Sequence, residues 1–511
     1  MSEIELKLIL DEATAKALWG RARALKLASS IPRTKTLRSI YLDTPEHALK
    51  KAGMSLRLRR DGRRWIQTVK TGREMHGGLS QAGEIENLAP GGRINIEAIP
   101  DETVRQQVAQ RVNGGPLAPV CETVIRRAAG EVCLKDGTRA ELAVDVGDIL
   151  CEGRSAGLRE AEIELIEGNP AGLFDIAKTL FPEGGLKFSR LYKAARGYLL
   201  AEKGFIDPPL KPRNAKAVAA DPMQIAEQTA RDILRECLDQ IAINITATCE
   251  LDDPEGPHQL RVGLRRLRSV FAVYRQVLDS PEMRRLGEEA RWLGQEVGGL
   301  RDLDVVGQDI VRREAGSHLD ETGLTDLADR LAVQAGERRL RLRKLLIEPR
   351  VQCFLLDLAR FVETRGWLVP EDFTQTERLA MPVSHLAEAA LAKCWKKVCK
   401  RARHLETLTV EERHEFRKML KRLRYAVEFF ASLYASRRVE PFLKRLKKLQ
   451  EVFGNLNDAA TVKALLSRSD LAADARSVGW MVGATQARAE FGWAGAKSLW
   501  RSLEETRPFW R

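Results

Sequence analysis

Residues 3 to 8 read Glu-Ile-Glu-Leu-Lys-Leu, a strict alternation of charge and hydrophobe. A strand sends successive side chains to opposite faces, so Ile4, Leu6 and Leu8 meet a core while Glu3, Glu5 and Lys7 share the other side. Two carboxylates held so close repel each other unless a cation lies between them. Hard oxygen donors of this kind suit Mg2+ or Mn2+. The plainer alternative is a solvated amphipathic strand with a cross-strand ion pair.

The alternation recurs, which weighs against that alternative. Ser55-Leu-Arg-Leu-Arg places Arg57 and Arg59 on one face, Lys70 follows Gln67-Thr-Val, and Glu84-Ile-Glu supplies Glu84 and Glu86. Further on, Val124-Ile-Arg-Arg offers Arg126 with Arg127 beside it, Leu142-Ala-Val-Asp offers Asp145, and Ala161-Glu-Ile-Glu offers Glu162 and Glu164. An open antiparallel sheet usually turns mixed polar residues to water. A closed sheet with acids and bases inward makes a hydrated tunnel that holds a metal at one wall and polyanion oxygens at another. Turn signals such as Tyr41-Leu-Asp-Thr-Pro, Arg60-Asp-Gly-Arg and Lys135-Asp-Gly-Thr separate the runs. Periodicity predicts helices over 12–27, 101–112 and 169–180, with Pro170 at a permitted helix start. The four glycines of 72–83 predict a mobile loop at one mouth of the sheet.

These residues resemble the CYTH family, the triphosphate tunnel metalloenzymes, across about 200 residues. The resemblance rests on Glu3-Glu5-Lys7, Arg38 to Pro45, Leu56-Arg-Leu-Arg, Thr68-Val-Lys, Glu84-Ile-Glu, Glu162-Ile-Glu and Lys193-Ala-Ala-Arg-Gly-Tyr. It implies an eight-stranded antiparallel tunnel that binds triphosphate with a divalent metal. Tyr192 and Ala195 depart from the family's usual Ser and Glu, which touches substrate preference more than activity. Hydrolysis of a phosphoanhydride needs neutralised phosphoryl oxygens, a stabilised leaving phosphate and an aligned water. The expected donors are Arg57, Arg59, Lys70, Arg126 and Lys193, with Arg38, Arg127 and Arg196 as further substrate contacts; arginine forks match paired phosphate oxygens. Glu3, Glu5 and Glu164 are the expected first metal site, with Lys7 between metal and phosphate. Glu162, Asp145, Glu84 and Glu86 remain alternatives for a second metal or for orienting the water. Neither a cysteine beside a phosphate-cradling loop nor a phosphohistidine arrangement stands out, so direct attack by water is expected.

Pro208-Pro-Leu-Lys-Pro-Arg breaks the pattern, and the chain beyond it reads as helix. With 511 residues, at least two domains are expected: a tunnel over 1–200, a linker over 201–220 and an all-helical domain over 221–511. No apolar run approaches a membrane span, and eight scattered cysteines suggest no disulfide framework; a cytoplasmic setting is the expectation. The helical part repeats itself. His258, Arg261, Arg265 and Arg268 return as His414, Arg417, Lys421 and Arg424 at an offset of 156, and the same offset carries Gly298, Leu300 and Asp302 onto Gly454, Leu456 and Asp458. Each basic set lies at steps of three, four and three along one helix face. Such self-repelling stripes make sense if a polyanion compensates them; Asp302 and Asp458 are expected to orient the bases.

His258-Gln-Leu-Arg-Val-Gly-Leu-Arg-Arg-Leu-Arg, Leu300-Arg-Asp-Leu-Asp, His414-Glu-Phe-Arg and Leu456-Asn-Asp resemble the CHAD family, the conserved-histidine α-helical domain. The resemblance implies two pseudo-twofold-related four-helix bundles around a basic groove for inorganic polyphosphate. Its expected contacts include Arg266, then Lys393, Lys397, Lys400 and His404 in one run, and Lys444 and Lys448 in another. Arg301 and Asp304 become Asn457 and Ala460 in the second unit, so the halves are expected to be unequal. The net charge of +13 agrees with a polyanion partner. Nucleic acid is less favoured because the basic helices lack interleaved aromatic platforms. The expected activity is metal-dependent hydrolysis of inorganic triphosphate, with the groove gathering the protein on polyphosphate granules. The alternatives are a non-catalytic granule scaffold and a hydrolase of thiamine triphosphate or a nucleotide.

Overall fold

The computed structural model describes residues 2–317, 323–369, 371–468, 471 and 474–510. The chain forms two compact units, one of residues 1–210 with 347–364, the other of 211–346 with 365–511. In the first, strands β1 (Ser2–Ile9), β2 (Arg33–Asp43), β3 (Ser55–Asp61), β4 (Arg64–His76), β5 (Leu79–Leu88), β6 (Ala118–Cys133), β7 (Arg139–Cys151), β8 (Arg154–Glu167) and β9 (Lys187–Phe188) are ordered β5-β4-β3-β2-β6-β7-β8-β1-β9. β1 also pairs with β5, which closes eight antiparallel strands into a barrel and leaves β9 as a short flap on the end of β1. Closure removes the free edges that an open sheet would present.

The expected loop at 72–83 is instead the β4–β5 hairpin that completes this closure. Gly77 and Gly78, with φ of 54° and 78°, supply the left-handed turn that a tight hairpin needs. Ser80 and Ala82 are small where β5 faces Glu5 and Glu3, so low hydrophobicity here marks a strand that lines a charged lumen.

Helices α1 (Glu12–Ala24), α2 (Ala48–Lys51), α3 (Glu102–Val112), α4 (Ala171–Leu180) and α5 (Lys193–Lys203) complete the tunnel unit. Asp11 and Asp101 cap α1 and α3 by accepting N–H bonds from Thr14 and Val104. Leu56 and Val69 pack outward against Val108 and Val112 of α3. α5 packs on the inner ends of β6, β7 and β8, where Ala194, Tyr198 and Leu200 meet Tyr41, Cys121, Ile149 and Leu158. The inner surface is therefore apolar where a helix fills it and charged elsewhere. Gly197 permits this approach, since a Cβ there would lie 2.0 Å from Cys121 Sγ. Asp43 of the Tyr41-Leu-Asp-Thr-Pro turn accepts bonds from the Leu49 and Lys50 N–H groups at 2.9 and 3.0 Å and from the Tyr198 hydroxyl at 2.5 Å, tying α2 to α5.

The second unit begins with α6 (Ala226–Glu250), α7 (Glu255–Val273), α8 (Arg275–Leu278) and α9 (Pro281–Asp304). A π-helix (Val305–Val311), α10 (Arg312–Ser317) and α11 (Leu324–Leu346) follow. α12 (Pro349–Glu363) belongs with the tunnel unit, paired to α4 through Lys178 with Asp357 and Arg360 with Asp175, both at 3.2 Å. The chain then forms α13 (Phe373–Ala380), α14 (Val383–Ala402), α15 (Val410–Phe430), α16 (Ser436–Leu466), α17 (Ala475–Ala494) and α18 (Ala496–Glu504). α6, α7, α9 and α11 pack as one bundle, and α14, α15, α16 and α17 as a second. The starts of α7 and α15 and of α9 and α16 keep nearly the spacing read from the sequence repeat. α7 packs directly against α15, so the two basic helices meet.

Candidate functional sites

Strand register decides which charges enter the lumen, because a one-residue step reverses the face. Glu5 stands opposite Glu164, Lys7 opposite Glu162, and Asp145 opposite both Arg127 and Glu160. Arg57 stands opposite Thr68, and Lys70 opposite Glu84. Acids and bases from β1, β3 to β5 and β6 to β8 thus share one inner surface.

One wall is already neutralised. Lys193 Nζ lies 2.8, 2.5 and 2.7 Å from Asp145, Glu160 and Glu162. Arg127 binds Asp145 through both arms of its fork, at 2.8 and 2.6 Å, and also bonds Glu162. Lys7 bonds Glu162 and lies 2.8 Å from Glu5. Burial would raise Asp145 and Glu162, but Lys193 and the neighbouring cations hold both carboxyls below their ordinary range. Burial likewise opposes the Lys7 charge, yet Glu162 and Glu5 keep its ammonium well above the usual value. Glu160 goes the other way, pushed up by burial despite Lys193.

The facing wall is less balanced. Glu3 bonds Lys70, which also lies 3.0 Å from Glu84; Arg57 lies 3.3 Å from Glu84 and Arg59 3.0 Å from Glu86. Glu164, with Glu3 and Glu5 as neighbours, is pushed up to about 7 by burial and then by those two carboxylates.

Two carboxylate groups could therefore take a metal. Asp145, Glu160 and Glu162 are the more tightly clustered, with ligand atoms within 4.8 Å of one another. Their charge is spent on Lys193, Arg127 and Lys7, and a metal there would have to displace buried ammonium and guanidinium groups. Glu3 and Glu5 also pair with one cation each, Lys70 and Lys7, but both repel Glu164, a repulsion that a metal ion would relieve, and an all-oxygen set fits a hard divalent ion. A pH test follows. Because the folded Glu164 carboxyl binds its proton more tightly than an unfolded one, stability without metal should fall as pH rises from about 4.5 to about 7. Mg2+ or Mn2+ should then raise the thermal midpoint more at pH 8 than at pH 5.5, and Glu164→Gln should flatten that difference. An equal metal-induced shift at both pH values in the wild type would place the ion elsewhere.

Three sequence expectations for the tunnel need correction. Arg126 is exposed on the outer face, opposite Thr36 and Val146, while its neighbour Arg127 holds the inward position. Arg38 is also one step out of phase; it stands opposite Arg60 and Val124 and binds Glu122 at 2.8 Å on the outside. Arg196 is 2 % exposed behind the wall, donating to Ser189 at 3.3 Å and lying 3.6 Å from Glu160 and 3.4 Å from Asp207. It braces the wall from α5. Glu160, outside the expected set, extends the Glu162 and Glu164 alternation by one more step.

In the helical unit, α7 and α15 bring the two basic stripes together. Arg265 Nε donates to the Tyr425 hydroxyl at 2.7 Å, and the Arg265 and Arg424 guanidiniums stand 5.4 and 5.0 Å from the Tyr425 ring centre. Lys421 lies among them; burial, then Arg265, Arg417, Arg261 and Arg424, pushes its ammonium down to about 6. Arg261 donates to Asp302 at 2.9 Å, whereas Arg417 donates to the neutral Asn457 at 3.1 Å. His258 and His414 are both pushed down, first by burial and then by Arg301 and Lys418 respectively. Arg301, absent from the expected contacts, thus joins the head of the first stripe.

Arg266 does not belong to the groove: one step off the stripe, it is buried with its guanidinium 5.6 Å from the Phe429 ring centre. Arg268 stands beside Arg291 and Arg422 instead of Lys421. Lys393, Lys397, Lys400 and His404 are exposed along and just after α14, as are Lys444 and Lys448 on α16. The halves differ where Asp304 and Ala460 differ. Asp304 is buried and pairs with Arg339 at 3.3 Å as α9 passes into the π-helix, while α16 runs on unbroken to Leu466.

The CYTH domain family model matches residues 1–198 and the CHAD domain family model residues 232–467. An inorganic triphosphatase of Haemophilus influenzae is 32% identical over 176 residues, 33% of this chain and 47% of that protein. This chain thus spans about half the length of that relative. An uncharacterized protein of Mycobacterium tuberculosis is 25% identical over 509 residues, 92% of this chain and 89% of that protein. Among solved structures, the CHAD domain from the plant Ricinus communis superposes with a TM-score of 0.51 at 29% identity, covering 58% of this chain and 98% of that one. Among the described residues, no helix is long and apolar enough to cross a membrane.

Proposed function

We propose that this chain, a CYTH domain followed by a CHAD domain, hydrolyses inorganic triphosphate to diphosphate and phosphate in its tunnel and binds inorganic polyphosphate in its helical groove. The observation that carries the first part is the closed barrel whose inner face opposes repelling carboxylates to an arginine and lysine wall. A plain anion-binding tunnel gains nothing from Glu3 and Glu5 repelling its ligand. Similarity to a triphosphatase supports the same reading.

In this mechanism Glu3, Glu5 and Glu164 would hold a divalent cation, which when bound would neutralise phosphoryl oxygens and relieve the repulsion on Glu164. Arg57, Arg59 and Lys70 leave Glu84, Glu86 and Glu3 to grip the phosphate chain, trading one set of charge-assisted bonds for another. Exchange of this kind costs little reorganisation, because the donors are already aimed by their acids. Lys7, Lys193 and Arg127 keep the opposite wall neutral enough to accept a polyanion. Phosphate release from triphosphate, thiamine triphosphate, ATP and long-chain polyphosphate, with Mg2+ and then Mn2+, tests the assignment. Triphosphate should be the preferred substrate; a strong preference for ATP or thiamine triphosphate would overturn it.

For the helical unit, convergence of Arg265 and Lys421 on one groove supports polyphosphate binding. Arg265→Glu with Lys421→Glu should weaken long-chain binding more than either change alone. The slope of log affinity against log salt should fall in magnitude by about 1.4, at ~0.7 per lost phosphate contact on a flexible chain. Titration with polyphosphates of defined length and with single-stranded RNA checks this. RNA binding as tight as polyphosphate binding would favour a nucleic-acid role.

A further inference from the structure

The centre of the groove holds one cation that can give up its charge among several that cannot. Lys421 sits on α15 between Arg417 and Arg424, one helical turn away on either side, where α15 packs on α7 and Arg265 reaches Tyr425, one turn from Lys421, with Arg261 also near enough to repel it. On its own helix the titratable groups nearest to it are Lys418 and Tyr425, one turn away, and His414, two turns away. The acids nearby are Asp302 of α9, already engaged by Arg261, Glu428 of α15, 3.6 Å from Arg424, and Asp458 of α16, whose carboxyl burial pushes up. Among the described residues, no carboxylate pairs with Lys421. The Nε atoms of Arg417 and Arg424 are buried without a hydrogen-bond acceptor, so this cluster is desolvated as well as crowded with like charge.

Arginine does not release its proton in proteins, so the repulsion among five neighbouring cations can be relieved only at the lysine. That is the sense of the shift that burial and the four guanidiniums impose on it. Phosphate oxygens laid along the groove reverse the balance: their negative charge offsets the guanidiniums and makes a charged ammonium favourable again. We propose that the groove takes up a proton together with its polyanion, and that Lys421, where the two repeats meet, is the group that accepts it. This rests on the reading of the groove as a polyphosphate site and adds its regulation: binding tightens on acidification. With one proton gained, affinity should be flat below about pH 6 and fall about tenfold per pH unit above it, until the pH reaches the lysine's value in the complex.

The test is isothermal titration of the full chain with long-chain polyphosphate, whose inner phosphates carry no titratable proton near neutrality. It is run at pH 7.5 in two buffers of equal ionic strength and different ionisation enthalpy. The expected result is uptake of about one proton per groove. Lys421→Arg should still bind with that uptake lost and its profile flattened between pH 6.5 and 8.5, while the His258→Gln/His414→Gln double variant keeps the uptake. Binding without proton uptake, or uptake undiminished in Lys421→Arg, would overturn the linkage while leaving the polyphosphate reading intact. Failure to bind polyphosphate at any pH would remove that reading and the linkage with it.

Discussion

Lys193→Met is expected to lower the folding stability of the tunnel unit by about 3–5 kcal/mol, the usual cost of leaving buried charge uncompensated. Its ammonium is the common partner of Asp145, Glu160 and Glu162, and its side chain is only 11% exposed. Methionine preserves much of the volume, so the loss reports charge more than packing. Urea denaturation followed by circular dichroism would measure it. The same experiment at pH 5 should show a smaller loss, because carboxyls deprived of their cation take up protons and shed the repulsion. A loss below about 1 kcal/mol at both pH values would mean that water already solvates the three acids. Lys193 would then be free to serve phosphate directly. With three carboxylates around it, the Lys193 ammonium holds this wall neutral.

Much of this arrangement was legible from parity. Glu3, Glu5 and Lys7, Arg57 and Arg59, and Glu162 and Glu164 are each spaced by two, and the barrel turns each set inward. Parity within a strand says which residues share a face but not which face is inside. Arg126 and Arg127 are adjacent, so one must point out, and only the pairing of Arg127 with Asp145 decides between them. Arg38 carries the same ambiguity, which its pairing with Arg60 and Val124 resolves outward. The role of α5 was hidden more deeply, because a helix that fills one end of a barrel has the same amphipathic pattern as one lying on its outside. In the helical unit the repeat located both stripes, and their meeting at Tyr425 followed from helix packing that spacing cannot reveal. Arg266 shows the limit: beside Arg265 in sequence, it points into the bundle because adjacent helix positions lie about 100° apart. The π-helix after Asp304 had no local signature beyond the motif's change between repeats.

Glu5→Gln is expected to lower triphosphate turnover by about 10²–10³-fold, the range typical of removing one preorganised electrostatic group. The substitution keeps the shape of a side chain that is 4% exposed, and removes one of three carboxylates proposed to share a cation. The loss should be partly recovered at high Mg2+ or Mn2+, because weakened metal binding is its cause. Polyphosphate binding by the helical groove should be unchanged, since it uses other residues. Arg59→Ala makes the contrast. Its guanidinium holds Glu86 and touches none of the three proposed ligands, so metal affinity should persist while the triphosphate KM rises. Steady-state kinetics over a matrix of metal and triphosphate concentrations separates the two, with circular dichroism to verify folding. If excess metal leaves Glu5→Gln as inactive as before, while Arg59→Ala loses metal affinity, the cation lies on the arginine wall and the assignment of Glu3, Glu5 and Glu164 is wrong.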